Sequence, residues 1–305
     1  MRDRAVHLRV WMGCLLLGFM SSATHALVLR DDRQVDVVIS KPPQRIVSLL
    51  PSLTETVCAL GQCQKLVGVD RYSNWPDSVA KLPRMGGGID PNIESVVALK
   101  PDLVLMATSA RGAERLQALG LTVLALEPRT HADVQRVLHT VAQALDVSVQ
   151  DSDRVWRHID AAVNAAAQSI PAHAKGQRVY VEVSRAPYGA SESSFIGETL
   201  QRLGARNILP ASMGPFPKIN PEFVVRAQPD LIMVGDSNLA DMRARPGWQN
   251  MRAMRMQRVC HFKSDESDVL VRAGPRMAEA ARLMAQCLTD PAQTNAASDQ
   301  SKVKP

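Results

Sequence analysis

Three features of the sequence predict an α/β protein built from two similar lobes, each with a parallel sheet. Short apolar runs alternate with helical patterns, a pair of motifs occurs twice in the same order, and residues 130–170 between the copies contain neither Gly nor Pro. Alternating strand and helix favours parallel strands covered on both faces. The expected architecture is therefore two Rossmann-like lobes joined by a long rigid backbone helix, with a cleft between them.

The candidate strands are 45–50, 65–70, 102–107, 122–126, 178–183, 230–235 and 258–262, each β-branched or leucine-rich and bounded by Pro, Gly or Asp. The echo begins with Glu55-Thr56-Val57-Cys58-Ala59-Leu60-Gly61, matched by Glu198-Thr199-Leu200-Gln201-Arg202-Leu203-Gly204. It continues with residues 93–103, which end Leu99-Lys100-Pro101-Asp102-Leu103, matched by residues 221–231, which end Ala227-Gln228-Pro229-Asp230-Leu231. Two matches in the same order point to a repeated fold unit. Between the copies, Val134, Val137, Leu138, Val141 and Leu145, then Val155, Ile159, Val163 and Ala166, recur at helical spacing. They predict helices over 131–145 and 152–170, the second spanning roughly 30 Å at 1.5 Å per residue. Such a segment is a stiff brace rather than a flexible linker.

Residues 1–26 read as an export signal. Arg2, Arg4 and Arg9 precede an apolar run over 10–20, and Thr24 and Ala26 suit the −3 and −1 positions of a cleavage site. The run is too short to span a bilayer, and it continues past Cys14, so no lipid attachment is expected there. The expected organisation is a signal peptide over 1–26, an N-terminal lobe over 27–130, a helical connector over 131–176, a C-terminal lobe over 177–290 and a disordered tail over 291–305. The whole chain carries a formal charge of +6, without the basic stripe that nucleic-acid binding requires.

Cys58, Cys63, Cys260 and Cys287 lie beyond the signal. In an oxidising compartment they permit three pairings. Cys58–Cys63 and Cys260–Cys287 are favoured because each joins neighbouring elements, with free buried thiols as the alternative. The CxxC spacing and paired His of a zinc site are absent, so neither a metal nor a cofactor is expected. No Gly-x-Ser-x-Gly or Cys–His arrangement supports catalysis. Of His131, His139, His158 and His173, on or beside the helical connector, most read as solvated helix faces, and His261 fits either core or surface. The run Gly86-Gly87-Gly88 lacks phosphate-loop spacing and reads as a turn or a ligand-contacting loop.

Arg45-Ile46-Val47-Ser48-Leu49-Leu50-Pro51-Ser52-Leu53-Thr54-Glu55, Val67-Gly68-Val69-Asp70-Arg71-Tyr72-Ser73 and Val96-Val97-Ala98-Leu99-Lys100-Pro101-Asp102-Leu103 together resemble the helical-backbone periplasmic binding proteins. These are the substrate-binding subunits of ABC importers for vitamin B12, heme and ferric siderophores. The resemblance runs from about residue 44 to 288. It is strongest to the members that bind vitamin B12, through Tyr72-Ser73, Pro76 and Gly204-Ala205-Arg206-Asn207-Ile208.

The family likeness implies a monomeric, periplasmic binding protein rather than an enzyme, with a small-molecule ligand held in the cleft by loops at the strand ends. The alternative of another class is an exported enzyme with a chelatase-like two-lobed fold, for which no catalytic residues are found. Pro51, Ser52, Tyr72 and Trp75 are the expected contacts from the first lobe, with Gly87 and Gly88. Tyr188, Phe216, Asp268 and Arg272 are those expected from the second. Arg71, Arg111, Arg185 and Arg272 flank the expected cleft. Residues 84–88 and 106–109 contain no aromatic where the B12-binding members offer further walls, so stacking area is lost.

Asn92-Ile93-Glu94 and Asn220-Pro221-Glu222 occupy equivalent places in the two copies. Each Asn suits an N-cap and each Glu the positive end of a helix dipole. The resemblance implies a second role, in which Glu94 and Glu222 dock onto arginines of the two permease subunits.

Overall fold

The computed structural model describes residues 26–184, 187–235 and 241–290. The expected signal peptide, apart from Ala26, the expected tail and Arg185 lie outside the described residues.

Seven strands form where the apolar runs predict them, most of them a residue or two shorter. In the N-terminal lobe β3 (Ile46–Ser48), β4 (Leu66–Val69), β5 (Leu103–Met106) and β6 (Val123–Ala125) pair in parallel in the order β4-β3-β5-β6. β3, β5 and β6 are buried along their whole length, as strands covered on both faces must be. In the C-terminal lobe β10 (Leu231–Gly235) lies between β7 (Arg178–Ser184) and β11 (Val259–Phe262), all parallel.

Four short strands escape the sequence pattern. β1 (Leu27–Arg30) and β2 (Asp36–Ile39) form an antiparallel hairpin ahead of the first lobe. Its turn is organised by buried Asp31, which accepts from the backbone N–H of Arg33 at 2.9 Å and of Val35 at 3.0 Å. β8 (Tyr188–Gly189) and β9 (Arg206–Asn207) extend β7 on its other edge, β8 running antiparallel.

The internal echo maps onto equivalent elements. Its first motif ends α1 (Pro51–Ala59) in one lobe and α6 (Phe195–Arg202) in the other. Gly61 and Gly204 follow with φ of +73° and +79°, the left-handed conformation that closes a helix and favours glycine. The second motif forms α2 (Ile93–Ala98) and α7 (Pro221–Ala227). α3 (Ala113–Ala118) completes the helices of the first lobe.

The two sheets share no strand. They are linked by α4 (His131–Ala144), which starts with a Thr130–Asp133 capping box, and α5 (Val149–Gln168). α5 begins three residues before the predicted start because the Ser148 hydroxyl accepts from the Asp151 N–H at 3.1 Å. Val137, Leu138 and Val141 of α4 enter the N-terminal core, whereas Ile159, Val163 and Ala166 of α5 enter the C-terminal core. Val155 and Trp156 touch both.

The cysteines pair as Cys58–Cys63 and Cys260–Cys287. The first pins the end of α1 to the following turn, and the second ties β11 to the C-terminal helix Met277–Thr289. Loop-closure entropy gives the 27-residue separation about 3.5 kcal/mol and the 5-residue separation about 2 kcal/mol of stabilisation.

Candidate functional site

All four parallel strands of the N-terminal lobe end on one cavity. Leu50, Pro51 and Ser52 follow β3, Tyr72 follows β4, Ala107 and Ser109 follow β5, and Glu127 and Pro128 follow β6. A parallel α/β sheet leaves its carboxyl-end loops facing such a crevice. The C-terminal lobe supplies Phe195, Phe216, Asp268, Val271, Arg272 and Ala273. The cavity, open to solvent on one side, has a volume of about 420 Å³, within the range of small-molecule sites.

The walls are apolar and aromatic. Tyr72 is 60% exposed and is positioned by Asp70, which accepts from the Tyr72 N–H at 2.7 Å and the Ser73 hydroxyl at 2.5 Å. Burial pushes the Asp70 carboxyl above its ordinary pKa, against the lowering effect of those hydrogen bonds. Across the cavity Phe216 stands edge-on to buried Phe195, with ring centroids 6.0 Å apart. Glu127 carries the polar side of the wall. Its Oε2 accepts from the Thr108 hydroxyl and from the Ser109 N–H at 3.1 Å, and its own N–H donates to Asp32 Oδ2 at 2.7 Å.

One end of the cavity is closed by a bridge between the lobes. Arg272 donates to Glu55 Oε1 and Asn74 Oδ1, both at 2.8 Å, and to the Tyr72 carbonyl at 2.9 Å. It also pairs with Asp268 of its own lobe at 2.8 Å. Asn74 donates to Asp268 at 2.8 Å, and Arg276 lies over the Trp75 ring, 5.1 Å from its centroid. Arg272 is only 7% exposed and Glu55 1%. Burial raises the Glu55 pKa although Arg272 and Arg276 act to lower it, and Glu55 Oε2 has no partner among the described residues.

Of the residues expected to hold a ligand, Pro51, Ser52, Tyr72, Phe216, Asp268 and Arg272 come together on the cavity wall. Four do not. Trp75 is drawn instead into the bridge under Arg276. Gly88 packs against the first strand end, where a Cβ would stand 2.9 Å from the Leu49 carbonyl, and Gly87 lies against the Arg71 guanidinium. Tyr188 belongs to β8 and bridges Lys218. Phe195, Glu127 and Pro128 went unread in the sequence. The signal for Glu127-Pro128 was present, because they directly follow the predicted strand 122–126.

Glu94 and Glu222 are exposed on the first turns of α2 and α7. The Asn92 side chain accepts from the Ser95 N–H at 2.8 Å and that of Asn220 from the Glu222 N–H at 3.0 Å. Each helix runs back from the carboxyl ends of its sheet, so both tips lie on the cleft side of their lobes. Glu94 pairs with Arg115 at 3.1 Å.

A contact between α4 and the C-terminal lobe sets His131 apart from the solvated histidines. His158 and His173 are exposed, but the half-buried His131 ring bonds to α6. Nδ1 lies 3.1 Å from Arg202, whose guanidinium can only donate, so Nδ1 is unprotonated. Nε2–H then donates to the Phe195 carbonyl or the Thr199 hydroxyl, at 3.1 and 2.9 Å. Desolvation, followed by the charge of Arg202, lowers the His131 pKa to about 4. The folded state therefore binds fewer protons than the unfolded chain between pH 6.5 and 4. Stability from the neutral ring is intact above that window and is withdrawn as pH falls through it. Moving from pH 7.5 to pH 5 is expected to cost about 2 kcal/mol through this group. In urea titrations at those two pH values, His131→Gln should lose about that much less than the parent protein.

Comparison with known proteins places the chain. The profile described as periplasmic binding protein matches residues 46–266. An uncharacterised ABC transporter substrate-binding lipoprotein of Bacillus subtilis is 29% identical over 273 residues, 86% of this chain and 85% of that protein. A vitamin B12-binding protein of Pectobacterium atrosepticum is 26% identical over 255 residues, 81% of this chain and 89% of that one. Among solved structures, the periplasmic heme-binding protein RhuT of Roseiflexus sp. RS-1 superposes with a TM-score of 0.70 at 26% identity, covering 82% of this chain and 99% of its own. The two-lobed architecture, the cleft at the strand ends and these matches agree: the chain belongs to the periplasmic binding protein family.

Proposed function

We propose that the protein is exported through residues 1–26 and serves in the periplasm as the monomeric substrate-binding subunit of an ABC importer. It captures a bulky chelate, with a corrinoid as the first choice, and delivers it without turnover to membrane permease subunits that Glu94 and Glu222 recognise. The observation that carries this reading is the interlobe cavity, walled by Tyr72, Phe195 and Phe216 at the carboxyl ends of the first lobe's four parallel strands. Flat aromatic walls suit a large planar ligand. The cavity opens to solvent, which leaves room for a ligand larger than about 420 Å³ to extend into the mouth of the cleft. The vitamin B12-binding relative supports a corrinoid. The heme-binding structural neighbour and the absence of aromatics in residues 84–88 and 106–109 support heme or a ferric siderophore as the second reading.

Titrating the purified protein with cyanocobalamin, hemin and ferric siderophores, while following intrinsic fluorescence and ligand absorption, tests the proposal. A stoichiometric coloured complex that persists without chemical change is the expected result. No complex with any chelate, or turnover of one, would overturn it.

A further inference from the structure

On the premise that the cleft holds a chelate, the charges on its wall decide which kind. Among the described residues, three side chains on the wall carry formal charge: Glu127 from the first lobe, and Asp268 and Arg272 from the second. Arg272 is the one cation of the three, and its terminal nitrogens are already occupied. One meets Glu55 Oε1 and Asn74 Oδ1, the other the Tyr72 carbonyl and Asp268 Oδ2, all within 2.8–2.9 Å. The forked face with which a guanidinium could grip a ligand carboxylate is filled from within the protein.

The two carboxylates are not used up in the same way. Glu127 receives both of its donors on Oε2, and among the described residues Oε1 accepts nothing. Asp268 receives Asn74 and Arg272 on Oδ2, and its Oδ1 likewise accepts nothing. Arg71 and Arg111 are exposed near the first lobe's strand ends and lie outside the cavity wall. Exposed charges of that kind are screened by water and salt. Among the described residues, the wall therefore offers spare acceptors and no spare cation.

We infer that the cleft selects a neutral or cationic chelate with N–H or O–H donors along its edge, and discriminates against anionic chelates, with Glu127 as the specificity-determining residue. A corrinoid rimmed with carboxamides meets this description, as does a cationic hydroxamate–iron complex. Heme, with two carboxylates, and a ferric tris-catecholate, with three negative charges, do not. Discrimination of this sort works chiefly through unpaired or like-charge contacts with the wrong ligand.

The test titrates the protein and its Glu127→Gln and Glu127→Ala variants with cyanocobalamin, ferrioxamine B, hemin and a ferric tris-catecholate. The parent is expected to bind cyanocobalamin or ferrioxamine B at least about tenfold more tightly than either anionic probe, a difference of about 1.4 kcal/mol. Both variants should narrow that gap by weakening the preferred probe, strengthening the anionic ones, or both. An unchanged melting temperature for either variant assigns the shift to recognition. Preference for hemin or the tris-catecholate, or ratios that Glu127 substitutions leave unmoved, would overturn the charge assignment while the chelate-binding function stands. Failure to bind any of the four probes would overturn the function itself, and the charge assignment with it.

Discussion

Replacing Arg272 with Met is expected to destabilise the folded protein by about 3–5 kcal/mol, the cost of removing one partner from a buried ion pair. The guanidinium is nearly inaccessible and reaches across the lobes to Glu55, which is itself 1% exposed. Without it Glu55 keeps only Arg276, 3.9 Å away, in an environment whose desolvation already raises its pKa. Asn74 Oδ1 and the Tyr72 carbonyl lose their donor as well. Urea denaturation at pH 7.5 measures the loss. The deficit should shrink as pH falls, because a protonated Glu55 no longer needs a cation. Adding Glu55→Leu to Arg272→Met should recover most of the stability, since an apolar pair of similar volume can replace a buried ion pair at little cost. A loss below about 1 kcal/mol, as for a surface pair, would show that the bridge does not hold the lobes together.

Reversing both charges proposed to dock the permease, Glu94→Lys with Glu222→Lys, is expected to abolish uptake in cells while ligand affinity stays within about twofold of the parent, well under 1 kcal/mol. Both residues sit on helix tips outside the cavity wall, so the cleft is untouched. The folding cost is modest: Glu94 gives up an exposed pair with Arg115, worth about 0–1 kcal/mol, and each Lys opposes a helix dipole by about 0.3–1 kcal/mol. Rates of association with the permease should fall more than the stability of any complex that forms, because charges at a rim mainly steer encounter. Loss of ligand binding in the double variant would refute the docking role.

The fold was legible because its signals are local. Apolar runs of strand length, the Leu-Gly endings of α1 and α6, and the Asn caps of α2 and α7 each announce themselves within a few residues. The β1–β2 hairpin was missed because its turn depends on the Asp31 side chain rather than on Gly or Pro. The strand-end rule drew attention to Pro51, Ser52 and Tyr72, which lie on the cavity wall, and applied to the fourth strand it leads to Glu127. The bridge was illegible. Glu55 and Arg272 are 217 positions apart, and nothing local marks either as buried. Trp75 illustrates the same limit: composition names an aromatic wall, but only the three-dimensional arrangement shows that its ring faces Arg276. His131 looked solvated because its own helix gives no hint of α6 lying against it.

The contact of Val155 and Trp156 with both cores makes the two lobes thermodynamic hostages of each other. Loosening either core strips cover from the shared helix, and with it from the opposite core, so the pair unfolds as one cooperative body. Either lobe, expressed by itself, would leave in water the part of Val155 and Trp156 that the other lobe covers.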